Sequence, residues 1–154
     1  GAGSKKIGSI IGGSERDGER VKEKFLRATP NLRRLREKVD GVAKSNRRWL
    51  KGLDQRKILI RHPHAALNSL LQGAGACVMK LALTLLDQYV INKQIKAYPV
   101  VNVHDEFQYE VEAGRAEEFG RLAVQSIRDA GRKLKLRCEL DGQYKIGNNW
   151  AETH

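Results

Sequence analysis

The chain has 154 residues, which is enough for one domain with a hydrophobic core. Its 29 Lys and Arg residues against 18 Asp and Glu give a formal net charge of +11, an excess that favours a polyanionic partner such as nucleic acid. Its 2 cysteines argue against a disulfide framework or a zinc site. No signal peptide is visible and no apolar run is expected to reach the length of a membrane span, so a membrane protein is not expected. A cytoplasmic setting is expected.

The first third of the chain is predicted to end in two helices. Residues 1–13 are rich in glycine and are predicted to form a loop, or the frayed end of a structure whose remainder is missing. Ser14 and Asp17 have the spacing of a capping pair and predict a helix over 14–28. A Thr-Pro pair then begins a second predicted helix over 29–44, with a thin apolar stripe among many charges.

Strands and helices are predicted to alternate in the rest of the chain. Residues 49–61 have the alternation of a β-hairpin with a turn near Asp54-Gln55, and a His-Pro pair ends it. The predicted elements that follow are a long helix over 64–92, an acidic hairpin near 99–112, a helix over 115–134, and a strand pair, 137–140 and 144–146, around Asp141-Gly142.

The long predicted helix has two distinct faces. His64, Asn68 and Gln72 recur every four residues and form a polar stripe, whose side chains both donate and accept hydrogen bonds. Such groups suit contacts to base edges or sugars in a minor groove, although on spacing alone a partly exposed helix face with ordinary polar residues is the better explanation. Gly73 and Gly75 follow, and glycine inside a helix suggests close approach by another element or a ligand. The alternative is a loosely packed first half of the helix that is simply tolerated. The apolar face is expected to be buried and contains Leu67, Leu70, Leu71, Ala74, Val78, Leu81 and Leu85.

The acidic hairpin is the most informative segment for chemistry. Two apolar runs flank His104, Asp105 and Glu106, which predicts a strand, a tight turn with two carboxylates, and a returning strand. Carboxylates fixed at a hairpin tip suit a hard cation such as Mg²⁺. Because neighbouring strand residues point to opposite faces, Asp105 is predicted to be the direct ligand and Glu106 an auxiliary carboxylate. The alternative is a solvated turn.

One carboxylate pair does not make a complete metal centre. A site with two metal ions needs at least one more carboxylate, and no second acidic motif stands out in the sequence. This leaves open a partial active site, a DNA-binding module without catalytic activity, and a metal-dependent nuclease with His104 as general base. The nuclease would require a second acidic cluster within this chain.

Four segments in this order make the sequence resemble a known family. They are 52–57 (GLDQRK), 64–76 (HAALNSLLQGAGA), 103–106 (VHDE) and 149–154 (NWAETH). Together they resemble the C-terminal part of family A DNA polymerases, the DNA polymerase I superfamily, with particular similarity to the replicative polymerases of podovirus-type bacteriophages. The resemblance extends over essentially the whole chain.

The resemblance implies an α+β fold, the C-terminal palm and fingers part of a right-hand polymerase. Long helices would pack on a small antiparallel sheet with a catalytic β-hairpin near 99–112. Residues 1–48 would be the helical C-terminal part of the fingers subdomain, and 49–154 would be the palm. The expected setting is the cytoplasm of a bacterial host.

The resemblance also implies a function, which is template-dependent nucleotidyl transfer to a primer 3′ end by a mechanism with two Mg²⁺ ions. Asp105 would bind metal with Glu106 as its acidic neighbour, and His104 would contact the primer terminus. The expected partners are primer-template DNA and deoxynucleoside triphosphates, with no membrane. The remaining expected DNA contacts are Gln72 and Asn68 in the minor groove, Arg56 on the DNA backbone, and His64.

Two departures from the family pattern matter. Gln55 stands where the family usually has glycine, in a turn that would favour positive φ. The family's first metal-binding aspartate and its nucleotide-binding helix would lie upstream of residue 1. We therefore expect the upstream portion of the same polymerase to be a partner, and the fragment alone to be inactive.

Overall fold

The computed structural model describes residues 2–153, which form two compact units divided between Gly73 and Ala74. The first unit contains α1 (Ser4–Ile10), α2 (Glu15–Ala28), α3 (Pro30–Lys44), β1 (Trp49–Lys51), β2 (Lys57–Leu59), a 3₁₀ turn (Pro63–Ala65) and the start of α4 (Ala66–Asn92). The second unit contains the rest of α4, β3 (Ala97–Val103), β4 (Glu106–Val111), α5 (Ala116–Lys133) and α6 (Trp150–Thr153).

The predicted α+β class is confirmed. In the described part of the chain the strands form two separate two-stranded antiparallel sheets, β1–β2 and β3–β4, rather than a single sheet. The division into units follows compactness, whereas the predicted subdomain boundary between residues 48 and 49 rests on the family resemblance. That boundary therefore stays a prediction.

The loop predicted over 1–13 is wrong, because α1 occupies most of it. The helix ends in a Schellman arrangement, in which the Gly13 N–H donates to the Gly8 carbonyl at 2.9 Å and the Gly12 N–H donates to the Ser9 carbonyl at 3.2 Å. Gly12 has φ +68°, the left-handed conformation that this helix end requires. The glycines that suggested a loop are thus part of the helix and its termination.

The two predicted helices that follow are confirmed as α2 and α3. The Ser14 side chain accepts from the Asp17 N–H at 3.3 Å, and the Asp17 carboxylate accepts from the Ser14 N–H at 2.9 Å. These hydrogen bonds form the capping box that the spacing predicted. The Ser14 hydroxyl also donates to the Asp17 carboxylate at 2.7 Å, and this bond, together with the one from the Ser14 N–H, holds the pKa of the Asp17 carboxyl below its usual value. Pro30 occupies the first turn of α3, where its missing N–H is no loss.

The β1–β2 hairpin packs one face on the core of the first unit. Successive strand residues point to opposite faces, so Leu50 and its partner Ile58 face inward together. The core they join consists of Val39, Ala43, Leu50, Ile60 and Ala66, with Val42, Ile58, Leu67 and Leu70 packed against it.

The hairpin turn has a different form from the two-residue turn that glycine would favour. The Gly52 N–H donates to the Arg56 carbonyl at 2.8 Å and the Gln55 N–H donates to the Gly52 carbonyl at 3.0 Å. A three-residue loop therefore joins the strands, and Gln55 occupies its left-handed position with φ +70°.

Gln55→Gly should raise the free energy of unfolding by about 1 kcal/mol, because glycine relieves the left-handed strain. Thermal unfolding monitored by circular dichroism measures it. Gln143→Gly is the matched control, since Gln143 is also exposed but is not among the residues with positive φ. Glycine at position 143 should lower the free energy of unfolding slightly. An equal change in that free energy for both variants would contradict the strain proposed at Gln55.

The core of the second unit lies between α4, α5 and the β3–β4 hairpin. It consists of Leu86, Val90, Ile95 and Phe119, with Ala97, Phe107, Tyr109, Val111, Leu122 and Ala123 packed against them. The Tyr109 and Phe119 rings lie 4.9 Å apart between centroids at an angle of 48°. Burial, and secondarily the charge of Asp87, raises the pKa of the Tyr109 hydroxyl.

The predicted final strand pair, 137–140 and 144–146, is wrong. In the described structure this segment forms no ladder and instead packs its side chains on α5. A Cβ at Gly120 would lie 2.3 Å from the Tyr144 ring, and one at Gly131 would lie 3.0 Å from Leu140. Arg128 pairs with Asp141 at 2.9 Å. Side-chain contacts to the helix thus replace the strand pairing that the alternating pattern suggested.

The expectation that no apolar run is long enough to cross a membrane also needs correction. Pro63–Asn92 has the length and composition of such a helix, with a mean hydropathy of 1.5 in its most apolar window. A single helix of this kind is weak evidence for a membrane span, since the core helix of a soluble protein has the same length and apolar composition.

Candidate active site

The β3–β4 hairpin places the predicted catalytic residues at its tip. The last ladder pair is Val103 with Glu106, which leaves His104 and Asp105 as a two-residue turn. His104 has φ +52°, the left-handed conformation typical of the first position in such tight turns. The two flanking strands therefore fix the position of the turn.

Asp105 and Glu106 occupy different kinds of position. Asp105 lies in the turn itself, whereas Glu106 is the first residue of β4, on the strand face that it shares with Gln108. The Gln108 side-chain amide donates to the Glu106 carboxylate at 2.7 Å. Both carboxylates and His104 are exposed. The prediction that neighbouring strand residues face opposite sides therefore applies to Glu106. The direction of the Asp105 side chain is set by the turn instead.

The carboxylates supply the oxygen donors that Mg²⁺ prefers. They fit the ion in chemical type and exposure, but within residues 2–153 no group of three or more His, Cys, Asp or Glu side chains is close enough to hold a metal. The hairpin tip thus has some of the oxygen donors that a metal site would need, and residues 2–153 do not complete such a site.

The hairpin has a buried face and an open face. Phe107, Tyr109 and Val111 pack against the core of the second unit, which supports the tip from behind. On β3, Tyr98 and Val100 are 63% and 62% exposed. This strand therefore presents apolar side chains that the described chain does not cover.

The predicted DNA contacts Arg56, His64, Asn68 and Gln72 all lie in the first unit. The Arg56 side chain pairs with Asp54 in the β1–β2 turn, and the Arg56 backbone N–H donates to the same carboxylate at 3.1 Å. Asp54 thus orients the guanidinium at the hairpin end, where its side chain is largely exposed.

The polar stripe on the long helix is exposed as expected, but His64 is not part of the helix. His64 lies in the 3₁₀ turn before α4 and stacks on His62 with ring centroids 5.6 Å apart. Asn68 and Gln72 are exposed on the first turns of α4. Of the predicted apolar face, Leu71 is 52% exposed and is the member that departs most from burial.

The glycines after the stripe differ from each other. A Cβ at Gly73 would lie 3.2 Å from Ile58, so β2 approaches the helix closely there. A Cβ at Gly75 would meet nothing within 4 Å. The close approach that the glycines suggested is therefore made by the hairpin at Gly73 only.

The β1–β2 hairpin has a basic aromatic cluster that is not among the residues predicted from the sequence. The Arg47 guanidinium carbon lies 3.7 Å from the centroid of the Trp49 ring, and the Lys57 ammonium lies 4.9 Å from it. The available signal was the alternation of Trp49 and Lys51 with the buried Leu50, which places tryptophan and lysine on one strand face.

A depression of about 620 Å³ in the second unit contains none of the predicted site residues. It lies along α5 beneath the C-terminal segment, and its lining includes Arg121, Gln125, Arg128 and Tyr144. Arg121 and Arg128 both pair with carboxylates there.

Comparison with known proteins confirms the family resemblance. The model of DNA polymerase family A matches residues 1–152. The DNA-directed DNA polymerases of Enterobacteria phage T3 and Escherichia phage T7 are each 38% identical over 178 aligned residues, which cover 100% of this chain and 25% of each relative. The chain therefore spans about a quarter of the length of these relatives.

A solved structure shares the fold. The POL domain of Pol1 from M. smegmatis, in complex with DNA primer-template and dNTP, matches with a TM-score of 0.73 and 20% identity. The match covers 84% of this chain and 25% of that chain. With a family match along nearly its whole length and 38% identity to two phage polymerases, the chain belongs to DNA polymerase family A.

Proposed function

We propose that this chain is the C-terminal part of a bacteriophage DNA-directed DNA polymerase that extends a primer on a DNA template during replication. The observation that carries the proposal is the His104-Asp105-Glu106 turn, held between paired strands in a chain of this family. A tip fixed by strands on both sides meets the need for catalytic carboxylates that are positioned before substrate arrives.

Asp105 is the proposed metal ligand, with Glu106 beside it. When bound, two Mg²⁺ ions would lower the pKa of the primer 3′-hydroxyl and neutralise the departing pyrophosphate. His104 would orient the primer terminus from the adjacent turn position. The Gln108 amide restrains the Glu106 side chain by its hydrogen bond at 2.7 Å.

Asn68 and Gln72 are proposed to hydrogen-bond the minor groove of the primer-template duplex. Their amides carry both donors and acceptors, and the degenerate groups of that groove suit an enzyme that copies every sequence. Arg56, oriented by Asp54, and His64 would contact the DNA backbone, where a net charge of +11 strengthens binding in a salt-sensitive way.

The upstream portion of the polymerase is a proposed partner. The described residues lack a third metal ligand, and phage relatives of this family are about four times as long as the chain, which covers 25% of each. The exposed Tyr98 and Val100 on β3 offer an apolar surface for that portion to cover. Together they would work in the cytoplasm of a bacterial host.

Primer extension with Mg²⁺ tests this proposal, using this chain alone and then mixed with the upstream portion. We expect labelled primer to lengthen only in the mixture. Extension by the chain alone would show that the upstream carboxylate is not needed. DNA binding without extension in the mixture would favour the second candidate, a DNA-binding module without catalysis, to which the incomplete metal ligand set also points.

A further inference from the structure

The outer face of the β1–β2 hairpin is basic and open to solvent. Cross-strand partners share a face, so Trp49 and Leu59 lie on the side opposite the core, as do Lys51 and Lys57. Leu59 is 68% exposed, and both lysines are exposed. We call Trp49, Lys51, Lys57 and Leu59 the outer hairpin face.

The charge around this face is strongly one-sided. Residues 47–61 contain six Lys and Arg residues and a single acid, Asp54, which pairs with Arg56. Arg47, Lys51 and Lys57 form no ion pair with the residues that the structure describes. An anionic ligand would find several positive groups there without a competing carboxylate.

Lys51 and Lys57 are direct cross-strand partners. Like charges placed directly opposite each other destabilise a strand pair. An anion held between the two ammonium groups would remove that repulsion. The lysine pair therefore favours occupation by a phosphate.

The Trp49 ring adds a group that recognises more than charge. Arg47 and Lys57 place their cationic groups at 3.7 and 4.9 Å from its centroid, so the ring lies among positive groups that it attracts by cation–π interaction. Bases of a duplex are stacked on one another, whereas bases of a single strand are free to stack on an aromatic side chain. Proteins that bind single strands combine such a platform with basic groups that follow the backbone.

We propose that the outer hairpin face binds single-stranded nucleic acid, with Lys51 and Lys57 on phosphates and a base stacked on Trp49. Arg47 would yield its place on the ring or stack against the same base. In the polymerase the ligand would be unpaired template, a role that rests on the proposed function. The binding itself does not depend on catalysis.

Fluorescence anisotropy of a labelled oligothymidylate, titrated with this chain at several salt concentrations, tests the inference. Trp49→Ala should weaken binding about fivefold, at the low end for one stacked base because the ring loses its cation contacts on binding. It should leave the salt slope unchanged. Lys51→Ala with Lys57→Ala should reduce that slope by about 1.4, since each phosphate contact on a single strand contributes about 0.7.

The controls separate a specific surface from general charge. Lys93→Ala with Lys96→Ala removes the same charge from exposed positions of the second unit and should change neither affinity nor slope. Trp49→Phe keeps an aromatic ring and should therefore retain most of the affinity for oligothymidylate. This result would show that Trp49→Ala weakens binding by removing the stacking ring and not by disturbing the hairpin. In a Trp150→Phe background, oligothymidylate should quench the emission of the unmodified Trp49.

Equal affinity for a duplex of the same length, or unchanged emission of Trp49 on saturation, would overturn the inference. These measurements do not involve primer extension. If the mixture extends primers while Trp49 emission does not change with oligothymidylate, the single-strand site is excluded and the proposed polymerase function stands. If oligothymidylate quenches Trp49 emission but the mixture extends no primer, the single-strand site is supported and the polymerase function is excluded.

Discussion

Asp105→Ala should lower primer extension by the assembled polymerase at least about a thousandfold. A metal ion contributes several kcal/mol of charge stabilisation in phosphoryl transfer, and about 4 kcal/mol corresponds to that factor in rate. Asp105 occupies the hairpin turn, where it supports no described packing, so the loss should fall on chemistry. Single-turnover extension at saturating DNA and nucleotide measures the rate directly.

The matched control is Glu110→Ala, which removes an exposed carboxylate from β4 of the same hairpin. It should keep the extension rate within a factor of about two, as expected for a surface carboxylate outside the metal site. DNA binding by Asp105→Ala should remain close to that of the unmodified chain, because removing an acidic group does not weaken phosphate contacts. Near-normal extension by Asp105→Ala would exclude this residue as a metal ligand.

The hairpin tip was predictable because its signal is local. Alternating apolar residues fix the strands, and the short polar interruption at His104-Asp105 fixes the turn, so both could be placed from the sequence. The helices are local signals of the same kind: α2 follows from its capping box, α3 from its first-turn proline, and α5 from the periodicity of its apolar residues.

The errors came from contacts between segments distant in sequence. Tyr144 has the β-propensity of a strand residue, yet its ring packs on Gly120, which leaves room that no local pattern records. The Arg47–Trp49 contact was missed for a different reason, because the two residues are close in sequence but their spacing alone does not place the guanidinium over the ring. The polymerase role predicted for Asp105 rests on the family resemblance, since the hairpin pattern alone also fits a solvated turn.

The glycines of α1 and α2 illustrate a further limit, because composition cannot distinguish a flexible glycine from a tightly packed one. A Cβ at Gly18 would lie 2.1 Å from the Ser4 carbonyl oxygen and 2.6 Å from the Gly8 nitrogen. A Cβ at Gly8 would likewise lie 2.1 Å from the Ser14 carbonyl oxygen. The two helices therefore cross with backbone against backbone.

Gly18→Ala should lower the free energy of unfolding of the first unit by about 2–3 kcal/mol, near the upper end of the usual overpacking penalty. The atoms that the new methyl group meets belong to the backbone, so no side chain can rotate away. Relief requires α1 to move off α2. Denaturant unfolding followed by Trp49 emission in a Trp150→Phe background measures the stability of this unit, and hydrogen exchange of α1 amides measures the local separation.

Gly41→Ala is the matched control, because it makes the same substitution inside helix α3 where a Cβ would meet nothing within 4 Å. Alanine there should raise stability by about 0.5–1 kcal/mol, since it restricts the unfolded chain and favours the helix. The two substitutions are thus expected to change the free energy of unfolding in opposite directions, although helix propensity alone predicts the same change for both. Stabilisation by Gly18→Ala would mean that α1 does not pack closely on α2, and the exchange of α1 amides would then be as fast as in a frayed terminus.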